Sequence, residues 1–203
     1  VIVIDSAVNT DKYTSFIATD NVAGGRMAME RLIESIGGSG EVVVVNALAG
    51  IPSNDARGQG AEEYAATVDG VTVLPQQHCL DQAEAMTATE NVIIGNPNLK
   101  GIFATFNRGA LGAAQAIVSK GKAGEIKMVA FDADADEIKL LEDGTIDALV
   151  VQQPYEMGKI GIEYAVKALN GEEVPKTVAP EVVIATKDNM NDEAVHKVLY
   201  PKG

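Results

Sequence analysis

The sequence predicts an α/β fold with a doubly wound, mostly parallel sheet, on three observations. Residues 101–132, GIFATFNRGALGAAQAIVSKGKAGEIKMVAFD, read as strand, helix and strand. Residues 102–106 are a β-prone apolar run; Leu111, Ala114 and Val118 recur at helical spacing; 126–131 is a second apolar run ending in Asp132. Within about 30 residues that makes a βαβ unit, whose strands are parallel and share a sheet. The second observation is that the same alternation runs along the whole chain, with no internal repeat and no low-complexity linker. The third is the β-branched run at 41–46, which has the pattern of a buried strand.

Taken in order, residues 1–5 form a short strand ending in Asp5, and 6–12 a polar loop. Residues 13–19 are strand-like again, and Asp20 is placed to cap a helix whose face is Val22, Met29, Ile33 and Ile36. Gly37 and Gly38 end it. After the strand at 41–46, Pro52 and Ser53 precede a helix reaching about Val68, with Arg57 expected in its first turn. A strand follows at 71–76, with His78, Cys79 and Leu80 as its exit, and Asp81 caps the next helix. Beyond the 101–132 unit come a short helix closed by Gly144, a strand at 146–151 leading into Gln152-Gln153-Pro154, and an amphipathic helix over 155–169. A proline-marked connection (Pro175, Pro180), a strand at 182–186 and a helix at 189–199 complete the chain.

Composition narrows the function. The chain has 203 residues, 46% hydrophobic, enough for a real core and one to two domains. No apolar run approaches the roughly 18 residues of a membrane span. A net charge of -13 argues against a nucleic-acid partner. One cysteine, Cys79, allows no internal disulfide. Aromatics are 4% with no Trp, low for a protein that grips sugar rings. Val1 already lies in a strand-like run, VIVID, with neither Met nor signal sequence before it, so the expectation is a fragment or a processed product.

In a doubly wound sheet, ligands bind beyond the carboxyl ends of the strands. Those ends carry Asp5, Asn46, His78, Phe106, Asn107, Asp132 and Gln152, with Arg57 close to the same edge. Each residue alone reads more readily as a helix cap or a solvated loop position than as a ligand contact. Together they suit a polyol: carboxylates accept hydroxyl protons, and a guanidinium donates through a rigid fork. Asp132, Asp134 and Asp136 resemble half a calcium loop, but Glu137 stands where the sharp turn needs Gly, so the expected reading is an acidic helix start. Gly37-Gly38-Ser39-Gly40 precedes a strand and cannot cradle phosphate, whereas Gly58 and Gly60 sit inside a helix as a close-packing site. With His78 and His196 the only histidines, no zinc site is expected, and there is no nucleophile elbow. Neither catalytic residues nor a cofactor are predicted.

The succession VIVIDS, FIATDNVAGGRMAMERL, NDARGQGAEEY, GIFATFNRGALGAAQAI, MVAFDADADEI and DALVVQQPYEMG resembles the type I periplasmic sugar-binding proteins, nearest the ribose-binding branch, along essentially the whole chain. The resemblance implies two α/β lobes joined by three crossings, closing by hinge motion on a sugar delivered to an ABC permease. It implies a periplasmic or lipid-anchored extracellular location. The same fold serves the ligand-binding cores of LacI-type regulators, the alternative reading, although the ending VVIATKDNMND looks more like the transport proteins. The resemblance makes Asp5, Arg57, Asp132 and Gln152 ligand-binding residues. Ser6 replaces a second binding Arg, while Phe106 and Asn107 stand where the ribose-type proteins have Asn and Asp. It therefore implies a small sugar or polyol without singling out ribose, with Phe106 and Asn107 setting which one. The family's opening segment, about a hundred residues of lobe-sized chain, has no counterpart here. The expected division is residues 1–19 as first-lobe strand and crossing, 20–152 as the second lobe, and 153–203 as a return to an incomplete first lobe. Its apolar faces would be covered by another chain, a further segment or self-association.

Overall fold

The computed structural model describes residues 1–201. Two short parallel strands, β1 (Ile2–Ile4) and β2 (Ser15–Ile17), open the chain. Helix α1 (Asn21–Ser35) begins where the Asp20 side chain accepts the Ala23 N–H. Then follow β3 (Gly40–Ala47), α2 (Pro52–Ala65), β4 (Val71–Val73), β5 (Gln77–Cys79), α3 (Gln82–Gly95), β6 (Leu99–Ala104), α4 (Asn107–Ser119) and β7 (Lys127–Phe131). The chain continues with α5 (Ala135–Asp143), β8 (Ala148–Val151), α6 (Pro154–Leu169), β9 (Thr177–Val178), β10 (Val183–Ala185) and α7 (Glu193–Leu199).

Two sheets result. The larger runs β10-β8-β7-β6-β3-β4, with β5 pairing further along β3. It is parallel except for β10, which pairs antiparallel with β8. Its central strands alternate between two cores. Val42, Val44, Phe103, Val129 and Phe131 face α1 and α2, while Val43, Val45, Ile102, Met128 and Ala130 face α3, α4, α5 and α7. Helices on both faces explain why these strands read as continuous apolar runs. The smaller sheet is β1-β2-β9, covered by α6, which approaches so closely that a Cβ at Gly161 would lie 2.4 Å from Ile4 Cδ1. Residues 18–20, 152–153 and 179–182 link the two sheets.

The structure departs from the sequence reading in several places. The strand expected at 71–76 breaks at Pro75, which lacks an N–H, and the chain resumes pairing as β5 with His78 opposite Asn46. His78 is therefore a strand residue. Helix α4 begins at Asn107, three residues early. Thr177 and Val178, inside the proline-marked connection, pair with β2. Residues 153–203 are expected to return as one piece to the first sheet; the described part, 153–201, divides instead. Helix α6 and β9 join the small sheet, but β10 pairs with β8, and Ala185, Val195 and Leu199 pack into the core of the large one. The short apolar patches on β10 and α7 have a hydrophobic surface available there, and a two-residue β9 cannot supply it.

Candidate functional site

β3 sends the chain to β4 and β5 on one side, then the next strand, β6, pairs on the other side of β3. That reversal opens a crevice at the carboxyl end of the sheet. A cleft of about 680 Å³ lies along this edge, walled in part by Asn54, Phe106, Asp132 and Gln152.

Arg57 is the buried centre of the site, 4% exposed. It lies in the second turn of α2, one turn later than expected, because the helix begins at Pro52. Three glycines set its position. A Cβ at Gly25 would fall 1.9 Å from the Arg57 carbonyl oxygen, and one at Gly60 would fall 2.0 Å from that of Val22, so α1 and α2 cross nearly backbone to backbone. A Cβ at Gly24 would fall 2.9 Å from the Phe131 ring. This crossing brings Asn21, at the start of α1, to Arg57, whose Nε donates to Asn21 Oδ1 at 2.8 Å. Nη1 donates to the Thr105 carbonyl at 2.8 Å, and the guanidinium carbon lies 3.7 Å from the Phe131 ring centroid. Burial draws the Arg57 pKa down, opposed by the charges of Asp132 and Asp5.

Asp132 follows directly on β7 with φ 84°, in the left-handed region. Its Oδ2 lies 3.9 Å from Arg57 Nη1, and its Oδ1 accepts from Gln152 Nε2 at 2.6 Å. Gln152 Oε1 in turn accepts from Thr19 Oγ1 at 2.9 Å, tying together two of the three links between sheets. Burial raises the Asp132 pKa, with Arg57 and then Gln152 pulling it down. Asp5 follows directly on β1 with φ 73°, and among the described residues these two aspartates are the only non-glycines with positive φ. Such backbone strain concentrates at functional sites. Asp5 is exposed and outside the cleft wall, although its charge acts on both Arg57 and Asp132.

Behind these groups runs a buried polar chain. Thr105 Oγ1 donates to Asn46 Oδ1 at 2.6 Å, Asn54 Nδ2 donates to Thr105 Oγ1 at 3.3 Å, and Asn46 Nδ2 donates to Gln76 Oε1 at 2.9 Å. It fixes the Thr105 peptide that receives Arg57. Phe106 is half-buried at the end of β6. The neighbouring Asn107 amide donates to the Asp134 carboxylate. Asp134 caps α5, accepting the Asp136 and Glu137 N–H groups at 3.0 Å each, and Glu137 closes a capping box. The acidic run is thus a helix start, as its sequence implied. Glu137 is fully buried, and burial pushes its pKa up to about 8. Burial likewise pushes the Cys79 thiol up, the opposite of what a nucleophile needs.

Of the residues named from sequence, Arg57, Asp132 and Gln152 form one connected cluster, with Phe106 and Asn107 on the neighbouring stretch of edge. Asp5 approaches from the small sheet and makes no hydrogen bond to the cluster. Asn21, Asn54, Thr105 and Thr19 were missed as site residues. The one usable signal was that Thr105 adjoins Phe106, a strand-end position already suspected.

Comparison with known proteins agrees with this architecture. The family described as periplasmic binding protein domain matches residues 1–173, and the chain belongs to that family. It is 32% identical over 187 residues to the ribose import binding protein of Bacillus subtilis, covering 92% of this chain and 60% of that protein. Two ABC transporter solute binding proteins from Agrobacterium vitis have the same fold, each covered over 70% of its length and covering 98% of this chain. One, with bound D-fucose, has a TM-score of 0.92 at 33% identity, and the other, with α-D-tagatopyranose, has 0.94 at 33%. The chain therefore spans about three fifths of the length of the curated relative and somewhat more of the solved structures.

Proposed function

We propose that this chain carries one wall of a sugar- or polyol-binding cleft in the solute-binding component of an ABC sugar importer, periplasmic or lipid-anchored outside the membrane, and that it binds without catalysis. The observation that carries the reading is the pairing of a buried Arg57 with a strained Asp132 at the open edge of a doubly wound sheet. Arg57 is held through Nε and Nη1, and its Nη2 makes no hydrogen bond among the described residues. A hydroxyl can receive a proton from the guanidinium while its neighbour donates to Asp132; such charge-assisted bonds contribute about 1.5–3 kcal/mol each. Relatives named for ribose, and neighbours holding D-fucose and tagatose, support a monosaccharide-sized ligand. No specific observation favours the regulator alternative.

In this reading residues 1–19 and 154–180 belong to one lobe and 20–152 with 183–201 to the other, with hinge closure about the three links. Gln152 would report closure, because it touches both Asp132 and the link at Thr19. A permease is the expected partner of the closed form.

The test is a titration of the 15N-labelled chain with pentoses, hexoses and polyols. A sugar should shift amide resonances at 131–134 and 151–153, weakly, because one wall leaves the ligand partly solvated. Asp132→Asn tolerates the left-handed backbone, yet it should lower affinity about tenfold or more through loss of a charged acceptor. No shift with any sugar, or unchanged binding in both Asp132→Asn and Arg57→Ala, would overturn the assignment.

A further inference from the structure

Arg57 and Gln152 both hang on one buried residue of the link at 18–20. The Thr19 carbonyl accepts from Asn21 Nδ2 at 3.0 Å, and Asn21 Oδ1 accepts from Arg57 Nε at 2.8 Å. The Thr19 hydroxyl donates to Gln152 Oε1 at 2.9 Å, and Gln152 Nε2 donates to Asp132 Oδ1 at 2.6 Å. One arm therefore ends on Arg57 and the other on Asp132, with Thr19 anchoring both. Both amides are fixed in direction. Reversed, Asn21 would set an N–H against the Arg57 N–H, and Gln152 an oxygen against the Asp132 carboxylate. The ring of side chains is open at one place, where Asp132 Oδ2 lies 3.9 Å from Arg57 Nη1, beyond hydrogen-bond length. Asn21 governs that gap. The Thr105 carbonyl holds Arg57 by Nη1 alone, and about a single bond a guanidinium still swings. The second bond, at Nε, fixes the plane and with it the direction of the unbonded Nη2. Removing Asn21 would leave a buried guanidinium N–H and the Thr19 carbonyl each short of a partner.

We infer that Asn21, with Thr19 behind it, is a positioning residue of the sugar site: the two hold Arg57 and Asp132 at the separation that a ligand's hydroxyls bridge, and a ligand closing that gap is felt at the link. The inference rests on the sugar-binding reading above and adds to it residues that act from behind Arg57 and Gln152 rather than by touching the sugar.

Titration of the 15N-labelled chain and its variants with the same pentoses, hexoses and polyols tests it. The tightest-binding sugar should shift the amides of 19–21 together with those of 131–134. Asn21→Ala should weaken that sugar about fivefold or more and remove the shifts at 19–21, while those at 131–134 persist. In an Asp132→Asn background the same change should weaken binding much less, because Asn21 acts through the Arg57–Asp132 pair. Thr19→Val, which removes only the hydroxyl, should also weaken the sugar, and Thr19→Ser should restore it; this pair decides the matter if Asn21→Ala does not fold. Wild-type affinity in Asn21→Ala, equal losses in the two backgrounds, or Thr19→Ser as weak as Thr19→Val overturns the inference and leaves the sugar site standing. Shifts at 131–134 with none at 19–21 in the wild type also overturn it. Absence of shifts with every sugar at 131–134 and 151–153 removes the sugar site itself, and the inference with it.

Discussion

At the residue scale, strain and burial mark the same few positions. Asp5 and Asp132 each end a strand and turn left-handed at once, a conformation that favours glycine and that Asp adopts through its short polar side chain. Both were legible in sequence as carboxylates at strand ends, but neither the strain nor the partners were. Arg57 finds Asn21 and the Thr105 carbonyl across 36 and 48 residues of chain, and no local pattern encodes such meetings. Glu137 was read as an ordinary first-turn acid, whereas its carboxyl is buried beneath Asp132 and Asp134 with Oε1 unpaired. Its pKa of about 8, against 4.5 for an ordinary glutamate, means the folded state holds the proton more tightly. The associated stability is fully present below about pH 4.5 and is lost as pH rises towards 8. The raised Asp132 pKa adds a contribution of the same sign. Glu137→Gln keeps the capping box, since Gln serves at that position. It should raise the melting temperature at pH 8 relative to wild type and flatten most of the decline between pH 5 and 8. Parallel melting curves for the two proteins across that range would show that Glu137 ionises freely.

At the scale of elements, the crossing of α1 and α2 sets the site. Gly24, Gly25 and Gly60 let two helices meet without side chains between them, and the contact delivers Asn21 to Arg57. The sequence showed Gly60 as a packing position but not its partner, since helix spacing identifies a face and not what lies against it. Gly25→Ala would place a methyl on the Arg57 carbonyl and must separate the helices. Overpacking of this kind costs about 1–3 kcal/mol, so chemical denaturation should show that loss with the Asn21–Arg57 bond broken. An unchanged midpoint would mean that the crossing has slack. The βαβ order of 101–132 was legible because two apolar runs and a helical stripe sit in succession. The break between β4 and β5 was signalled only by Pro75, and a two-residue β9 carries too few side chains to leave any pattern.

At the scale of the whole molecule, the two sheets differ in how well they are covered. The large sheet has helices on both faces, whereas the small one has α6, which carries Tyr155, Ile162, Val166 and Leu169 exposed at spacings of seven, four and three residues. That spacing makes one apolar stripe turned away from the buried Met157 and Gly161. Self-association through this stripe, one of the three ways of covering it that the sequence reading names, would give a sedimentation coefficient that rises with concentration and is restored to the monomer value by the double change Ile162→Glu and Leu169→Glu. A wild type that stays monomeric at all concentrations would refute the pairing. The doubly wound class and the order of elements were readable because buried parallel strands leave apolar runs. The division of residues 153–201 between sheets was not, because it depends on β10 pairing antiparallel with β8, which no sequence period records. The central claim is that a sugar sits between Asp132, Arg57 and Gln152, and a crystal structure of the chain soaked with the tightest-binding sugar of the panel tests it most directly. The account predicts vicinal hydroxyls bridging the Asp132 carboxylate and Arg57 Nη2, with Gln152 beside them. A sugar seated elsewhere, with these three side chains still bonded only to one another, would contradict it.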